Sequence, residues 1–195
     1  MPIKFIASCL TQEQTQACKS LGIEIMRSYA RSYGEITSGA VTDFSVHCFN
    51  SATLAALKSL GVTRATLHPE LNLAQIRDMA KPIDTEVIIY GKLPLMKLGN
   101  PISDGYITDR KGIRFFVHKG IVYNSVPIFM ADKLKEVEKA GVTHGRLIFT
   151  TESIEDMHDI IKAYKNRKAL VDKEALIDKK MSDNTFTRGK FYSRV

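Results

Sequence analysis

Short apolar runs alternate with amphipathic stretches along the first ninety residues. The runs predict strands, and the stretches, whose apolar positions share one helical face, predict short helices. Strands are predicted at 4–9, 23–26, 44–48, 64–67 and 86–90, and helices at 11–21, from 50 or 51 to 61, and from 72 to before 82. Such a rhythm indicates parallel βα units, in either a barrel or a doubly wound sheet.

Local residues fix several of these boundaries. Thr11 with Gln14 three residues later has the arrangement of a capping box, and Gly22 ends that helix. Residues 28–42 are rich in Ser, Tyr and Gly and predict a loop.

Residues 91–128 interrupt the βα rhythm. Two short β segments, Phe115–Val117 and Val122–Asn124, flank Lys119–Gly120 and predict a β-hairpin. The rhythm then returns with a helix at 130–140, a strand at 146–149 and a helix at 154–165.

Composition narrows the class of protein. The 195 residues, 44% hydrophobic and 25% charged, suit a globular domain with or without an extension. No apolar run approaches the roughly 18 residues of a membrane span, and no cleavage pattern follows the first apolar segment. The three cysteines form no CxxC motif, and we expect their thiols to be reduced. We therefore expect a cytoplasmic protein without a membrane partner.

The net charge of +7 leaves two interpretations open, an acidic partner such as RNA or an ordinary solvated surface. Cations lie beside aromatic residues in two segments, a pattern that suits RNA contacts or amphipathic strands. These residues are Arg110, Lys111, Arg114 and Lys119 with Phe115 and Phe116, and Arg188, Lys190 and Arg194 with Phe186, Phe191 and Tyr192.

Polar residues follow several predicted strands and would meet at one rim of a parallel barrel. They are Cys48 and Asn50, His68 and Glu70, Tyr90 and Lys92, and Thr151 and Glu152. Cys48 with His68 has the chemistry of a nucleophile and its base, or Cys48 is a small buried residue and His68 a loop residue. Glu70 and Glu86 have the chemistry of an acid, a base or a ligand. The alternative is structural: Glu70 lies at a helix start and Glu86 at a strand start. Without HExxH and with scattered histidines, no metal is predicted.

Several strings in order resemble one family over about residues 40–195. They are Phe49-Asn50-Ser51, His68-Pro69-Glu70-Leu71-Asn72, Tyr90-Gly91-Lys92-Leu93-Pro94-Leu95-Met96, Asp109-Arg110-Lys111-Gly112, Asn124-Ser125 and Phe186-Thr187-Arg188-Gly189. Together they resemble the collagenase-like peptidases of unknown catalytic type, family thirty-two, in the branch with an extra domain of unknown function.

The resemblance implies a (β/α) barrel and peptidase activity. Several relatives instead take part in the hydroxylation of RNA bases or ubiquinone precursors and hold an iron–sulfur cluster on four cysteines. Here Asn100 stands where the first cysteine is expected, and residues 103–108 and 118–121 contain none. Because a cluster needs thiolates, we expect no cofactor.

These observations predict an α/β fold, a partial (β/α) TIM-like barrel over residues 1–165 with a β-hairpin inserted at about 91–128. A basic C-terminal extension follows at 166–195. The chain is short for a whole barrel, so we expect a truncated family member whose strand at Lys4–Cys9 is an open edge. Such an edge favours a second chain or a homo-oligomer.

Three functions stay open: a peptidase-like enzyme acting on protein, an RNA-binding accessory to RNA modification, and a split-gene product that needs a second chain. The candidate catalytic residues are Glu70, His68 and Cys48, and the candidate substrate-binding residues are Asn50, Lys92, Arg110 and Arg188.

Overall fold

Local capping signals set the helices in the structure, a computed structural model that describes residues 2–26, 28–100, 102–168 and 186–193. The Thr11 hydroxyl accepts from the backbone N–H of Gln14, and the Gln14 side chain accepts from the N–H of Thr11, which confirms the predicted capping box. Ser153 begins a later helix in the same way with Asp156. Each cap satisfies N–H groups that the first helical turn leaves without a partner.

The described strands are β1 (Lys4–Cys9), β2 (Glu24–Ile25), β3 (Val41–Thr42), β4 (Arg64–Thr66), β5 (Asp84–Gly91), β6 (Pro94–Lys97), β7 (Gly105–Thr108), β8 (Arg114–His118), β9 (Ile121–Tyr123), β10 (Ile128–Phe129) and β11 (His144–Phe149). The described helices are α1 (Gln12–Ser20), α2 (Ser51–Ser59), α3 (Leu73–Asp78), α4 (Leu134–Lys139) and α5 (Ile154–Asn166).

The main sheet is parallel and curled into a half-barrel, so the chain has a mixed α/β fold. Its strand order is β2-β1-β11-β5-β4-β3, and β10 adds to β5 in the antiparallel direction. A parallel bridge between Ala30 and Thr42 links the segment after β2 to β3, at the other end of this order. The segment that follows β2 therefore reaches the strand at the opposite end of the sheet order.

The expectation of an open edge at Lys4–Cys9 is wrong. β1 pairs along its whole length with β11 on one side and with β2 on the other. Because the last described strand of the sheet fills the place next to the first, β1 is an interior strand, paired with β2 at Ile6 and Ala7 and with β11 along its whole length.

Successive side chains of the central strands point to opposite faces of the sheet. Val87, Ile89 and Leu147 belong to the main hydrophobic core, together with Met157 and Ile161 of α5. Residues between them, such as Glu86 and Arg146, go to the concave face instead. Arg146 contacts Asp43, which follows a strand three places from β11 in the sheet order, and this contact requires that face.

A second sheet follows β5 where the sequence predicts a hairpin. It contains four antiparallel strands in the order β6-β9-β8-β7, and β8 and β9 flank Lys119–Gly120. We call it the small sheet. Since β6 follows β5 and β10 returns to β5, the small sheet lies beyond the carboxyl end of that strand.

Residues 44–48 do not form the predicted strand. Phe44–Val46 is a 3₁₀ turn, and His47 has φ 56°, a left-handed conformation that interrupts an extended chain. Only Cys48 makes a parallel bridge, to Leu67.

The described end of the chain packs on the half-barrel. Thr187 exchanges backbone hydrogen bonds with Pro127 and Phe129 at 2.9 and 3.0 Å, and the Phe191 side chain is buried in the main core. Much of the predicted extension at 166–195 lies outside the described residues. α5 ends at Asn166, one residue beyond the predicted end of the barrel region.

Candidate functional site

The strand-end residues predicted to share one rim lie in two groups. Cys48, Asn50, His68 and Glu70 surround the carboxyl ends of β3 and β4. Tyr90, Lys92, Thr151 and Glu152 surround the carboxyl ends of β5 and β11 and contact one another.

Cys48 lies inside the protein and does not face His68 with its thiol. Its side chain has no exposed surface, and its contact with His68 is a backbone hydrogen bond of 3.1 Å from the His68 N–H to the Cys48 carbonyl. Burial raises the pKa of the Cys48 thiol to about 11. A thiol that stays protonated at neutral pH is a poor nucleophile, so Cys48 fits the structural interpretation.

His68 stacks with aromatic neighbours. Its ring lies 4.1 Å from the ring of Phe49 and 5.3 Å from that of His47. Burial lowers the pKa of His68, although the charge of Glu70 acts in the opposite direction. The ring is therefore mostly neutral at pH 7. Its Nδ1 lies 3.4 Å from the backbone N–H of Glu70, so the exposed Glu70 contacts His68 through its backbone.

Asn50 caps α2. Its side-chain oxygen accepts from the backbone N–H of Thr53 at 2.9 Å. Asn50 therefore has a structural role, since its side chain stabilises the start of α2.

The second group forms a hydrogen-bonded rim across three neighbouring strands. The Tyr90 hydroxyl donates to Glu152 at 3.0 Å, and the Lys92 ammonium donates to the Thr151 hydroxyl at 3.1 Å. The side chain of Gln14 donates to the carbonyls of Thr150 and Glu152 at 3.3 and 3.1 Å. Burial, followed by the charge of Glu152, raises the pKa of Tyr90. The rim thus holds a neutral phenol against a carboxylate.

A polar cluster, missed from the sequence, occupies the concave face of the half-barrel. We call it the interior cluster: Tyr29, Asp43, Arg64, Thr66, Glu86 and Arg146. Arg146 donates from Nε to Glu86 at 2.5 Å, from Nη1 to Asp43 at 2.7 Å and from Nη2 to Thr66 at 2.6 Å. Its guanidinium also lies 4.1 Å from the centre of the Tyr29 ring.

Glu86 is the shared acceptor of the interior cluster. The Tyr29 hydroxyl donates to its two oxygens at 2.8 and 2.6 Å, and Arg64 Nε lies 3.1 Å from Oε2. Burial raises the pKa of Tyr29. For Arg146, burial acts to lower the pKa, but the charges of Glu86, Tyr29 and Asp43 outweigh it and hold the pKa above its usual value. The cluster is therefore a set of compensated charges that ties β4, β5 and β11 to the segments that hold Tyr29 and Asp43.

A sequence signal for this cluster exists. Glu86 and Arg146 each stand inside a strongly apolar run, at Thr85-Glu86-Val87-Ile88 and Gly145-Arg146-Leu147-Ile148. A charge in the middle of a buried strand needs a partner. A glutamate at the start of a strand has no such requirement, whereas Glu86 is the third residue of β5.

The small sheet carries aromatic residues and cations on one face. Tyr106 pairs across the strands with Phe116, which pairs with Tyr123, and paired residues share a face. The ring centres are 5.7 and 5.8 Å apart, and the Arg114 guanidinium lies 4.4 Å from the Tyr106 ring centre. We call these four residues, with His118 stacked on Phe116, the aromatic face.

Arg110 and Arg188, two of the three cations predicted to bind substrate, lie in different parts of the structure. Arg110 is exposed in the turn between β7 and β8, a turn closed by Asp109, which accepts from the N–H groups of Lys111 and Ile113 at 2.8 and 2.9 Å. Arg188 instead donates to Asp132 and to the Phe129 carbonyl, and so anchors the chain end to the half-barrel.

Two further features are absent from the described residues. They contain no group of three or more His, Cys, Asp or Glu side chains placed to hold a metal ion. Their helices include none that is both long enough and apolar enough to span a membrane.

The curled parallel sheet and the polar rim at its carboxyl ends define an α/β half-barrel protein. Residues 26–114 match the family model described as peptidase family U32. This matched region, which runs from just after β2 to the start of β8, is similar to peptidase family U32. Neither the curated proteins nor the solved structures gave a match.

Proposed function

We propose that this protein, whose residues 26–114 match the peptidase family U32 model, binds single-stranded RNA, with the aromatic face of the small sheet as the contact surface. A base would stack on the exposed ring of Tyr106, and the cations around it would contact phosphates. This proposal develops the RNA-binding alternative from the sequence. The family match itself supports a peptidase-family-like protein without naming a substrate.

The observation that carries the proposal is the pairing of an exposed ring with a cation on an ordered sheet. Tyr106 keeps 43% of its surface exposed, although it lies against Arg114 and Phe116. Rings held on a sheet lose little freedom when a base stacks on them, and such stacking is tolerant of sequence.

Charge supports the same surface. Residues 91–128 contain six Lys and Arg against two Asp, so this segment has a positive balance. Arg110, Lys111 and Arg114 are all exposed at one end of the small sheet. Proteins that bind single-stranded nucleic acid combine cations with rings on which bases stack.

Peptide hydrolysis with Cys48 as nucleophile has less support. Its thiol is buried with a raised pKa, and it meets His68 only through the backbone. Nucleophile and base need side chains within hydrogen-bond reach.

Fluorescence anisotropy with a labelled single-stranded RNA of about 12 nucleotides tests the proposal. Tyr106→Ala should weaken binding about tenfold, because stacking of one base contributes roughly 1–3 kcal/mol. Tyr192→Ala is the matched control, since Tyr192 is similarly exposed but lies outside the small sheet and donates to Glu136.

The cations are tested through salt dependence. Replacing Arg110 and Lys111 together with Ala should reduce the log–log salt slope by about 1.4, because each phosphate contact on a single strand contributes about 0.7. Arg77→Ala, an exposed cation on α3, should leave the slope unchanged. If neither Tyr106→Ala nor the double replacement of Arg110 and Lys111 changes RNA binding, the proposed surface is refuted.

A further inference from the structure

The cysteines divide into one isolated buried residue and one close pair. The Sγ atoms of Cys9 and Cys18 are 3.7 Å apart, and Cys48 lies elsewhere, beside Leu67. We propose that Cys9 and Cys18 form a reversible disulfide when the protein meets a peroxide. This inference is independent of RNA binding.

The fold brings the two sulfurs together locally. Cys9 ends β1, and Cys18 lies on α1, which follows after a short turn and packs back on β1. A disulfide has a bond of about 2.05 Å, so the sulfurs need to approach by less than about 2 Å. Cys9 is only partly buried, so its side chain can make most of that movement.

The two thiols differ in chemistry. A hydrogen bond from Cys18 lowers the pKa of Cys9, although burial acts in the opposite direction. The hydrogen bond to Cys9 and burial both raise the pKa of Cys18. Cys9 is thus the attacking thiolate, since it is also accessible, and Cys18 is the resolving thiol.

The reaction balances with one peroxide. The Cys9 thiolate attacks one oxygen of hydrogen peroxide, the O–O bond breaks, and the departing hydroxide takes up a proton as water. The resulting Cys9 sulfenic acid is then attacked by the sulfur of Cys18, forming the S–S bond and releasing a second water. Two thiols are oxidised and the peroxide is reduced. A dithiol reverses the product by exchange.

The disulfide would act on the rim described above. Gln14 lies on α1 one turn before Cys18 and donates to the carbonyls of Thr150 and Glu152. A bond from Cys18 to the end of β1 fixes α1 against the strand whose carboxyl end borders this rim.

The test treats the full chain with a small excess of hydrogen peroxide, quenches in acid, and alkylates in denaturant before mass analysis. We expect two of the three thiols to be lost to alkylation, a mass lower by two hydrogens, and a peptide that links Cys9 to Cys18. Dithiothreitol should restore all three thiols. Cys48→Ala should leave this pattern unchanged.

A second arm follows the intermediate. Cys18→Ala, or Cys18→Ser if the first variant does not fold, should stop at a sulfenic acid on Cys9 that dimedone traps. Either of two results would overturn the inference: full alkylation of Cys9 and Cys18 in the peroxide-treated wild-type protein, or disulfide-linked dimers through Cys9 as the main product.

Discussion

At the scale of single residues, Arg146 determines whether the charges on the concave face remain compensated. It donates to Glu86, Asp43 and Thr66, and its side chain is almost fully buried. Removing one member of a buried charge network leaves the others unpaired in a medium of low polarity. The interior cluster is thus the place where one substitution costs most.

We expect Arg146→Met to lower the free energy of unfolding by about 3–5 kcal/mol, because Glu86 and Asp43 then lose their main partner. Urea unfolding followed by circular dichroism measures this. Arg77→Ala removes an exposed pair with Asp78 and should leave the midpoint unchanged. Equal midpoints for the Arg146 variant and the wild type would contradict the proposed role of the cluster.

His144 connects stability to pH. It is buried beside Thr143, and burial, followed by the charge of Arg64, lowers its pKa below the usual 6.5. As pH falls below about 6.5, the unfolded chain therefore binds a proton more readily than the folded protein. Stability should be full above this pH and should decrease as pH falls from about 7 towards 5.5.

Urea midpoints measured across this pH range check the expectation in wild type and in His144→Gln, which should depend less on pH. His68, whose pKa is also lowered, keeps part of the dependence in the variant. His158→Gln, on the exposed side of α5, is the control. An unchanged pH dependence in His144→Gln would rule out His144 as the titrating group.

At the scale of elements, Gly91 at the end of β5 lies against the backbone of β11. Its φ is 113°, and a Cβ atom there would lie 2.1 Å from the carbonyl oxygen of Ile148. Only glycine tolerates both conditions.

Gly91→Ala should lower the free energy of unfolding by at least about 2 kcal/mol, because the β5–β11 pairing must shift. Gly99→Ala, exposed and with open space around its Cβ position, should change it by less than about 0.5 kcal/mol. Thermal unfolding of the two variants side by side makes the comparison. Similar stability for both would show that the strands adjust freely around residue 91.

Element prediction from the sequence succeeds where the signal is local. The capping box at Thr11 and the apolar runs at β1 and β5 identify a helix and two strands without tertiary information. The strand prediction for residues 44–48 is wrong because their pattern also suits a 3₁₀ turn. The residue type of His47 does not indicate its left-handed backbone conformation. The order of the strands in the sheet cannot be predicted either, because no local signal places β11 beside β1.

The candidate site shows the same division. Exposed residues such as Arg110 can be placed from the sequence, because turn residues and charges predict a surface. The interior cluster cannot, because its members come from distant segments and meet only when the sheet curls. Periodicity distinguishes buried from exposed positions on a strand, but it does not tell the helix-covered face from the concave one when both are buried.

At the scale of the whole molecule, the segment 186–193 is part of the packed structure. The backbone N–H of Leu73 donates to the Phe191 carbonyl at 3.0 Å, and the Asn72 side chain donates to the Ser193 carbonyl at 3.2 Å. The Phe191 ring is buried in the main core.

Phe191→Ala should lower the free energy of unfolding by about 3 kcal/mol, because it leaves a cavity beside α3 and β10. Lys190→Ala, on the exposed side of the same segment, should change it little. Guanidinium unfolding provides both values. A Phe191 variant as stable as the wild type would mean that this segment docks without contributing to the core.

The expected association with a second chain or a second copy stays a prediction, but its basis changes. β1 is paired on both sides, so it is not available as an edge. The outer strands of the small sheet are β6 and β7, and they expose Leu95, Met96 and Tyr106. Exposed edge strands with apolar side chains are the usual places of intermolecular pairing.

The position of β11 between β1 and β5 has a consequence for the order of folding. Lys4 pairs with His144, so most of the chain must be synthesised before β1 gains its longest partner. Closing so large a loop is entropically costly, and pairing between distant segments slows folding. A nascent chain that stops before residue 144 therefore leaves a gap in the middle of its sheet, with the apolar sides of β1 and β5 open to chaperones or to neighbouring chains.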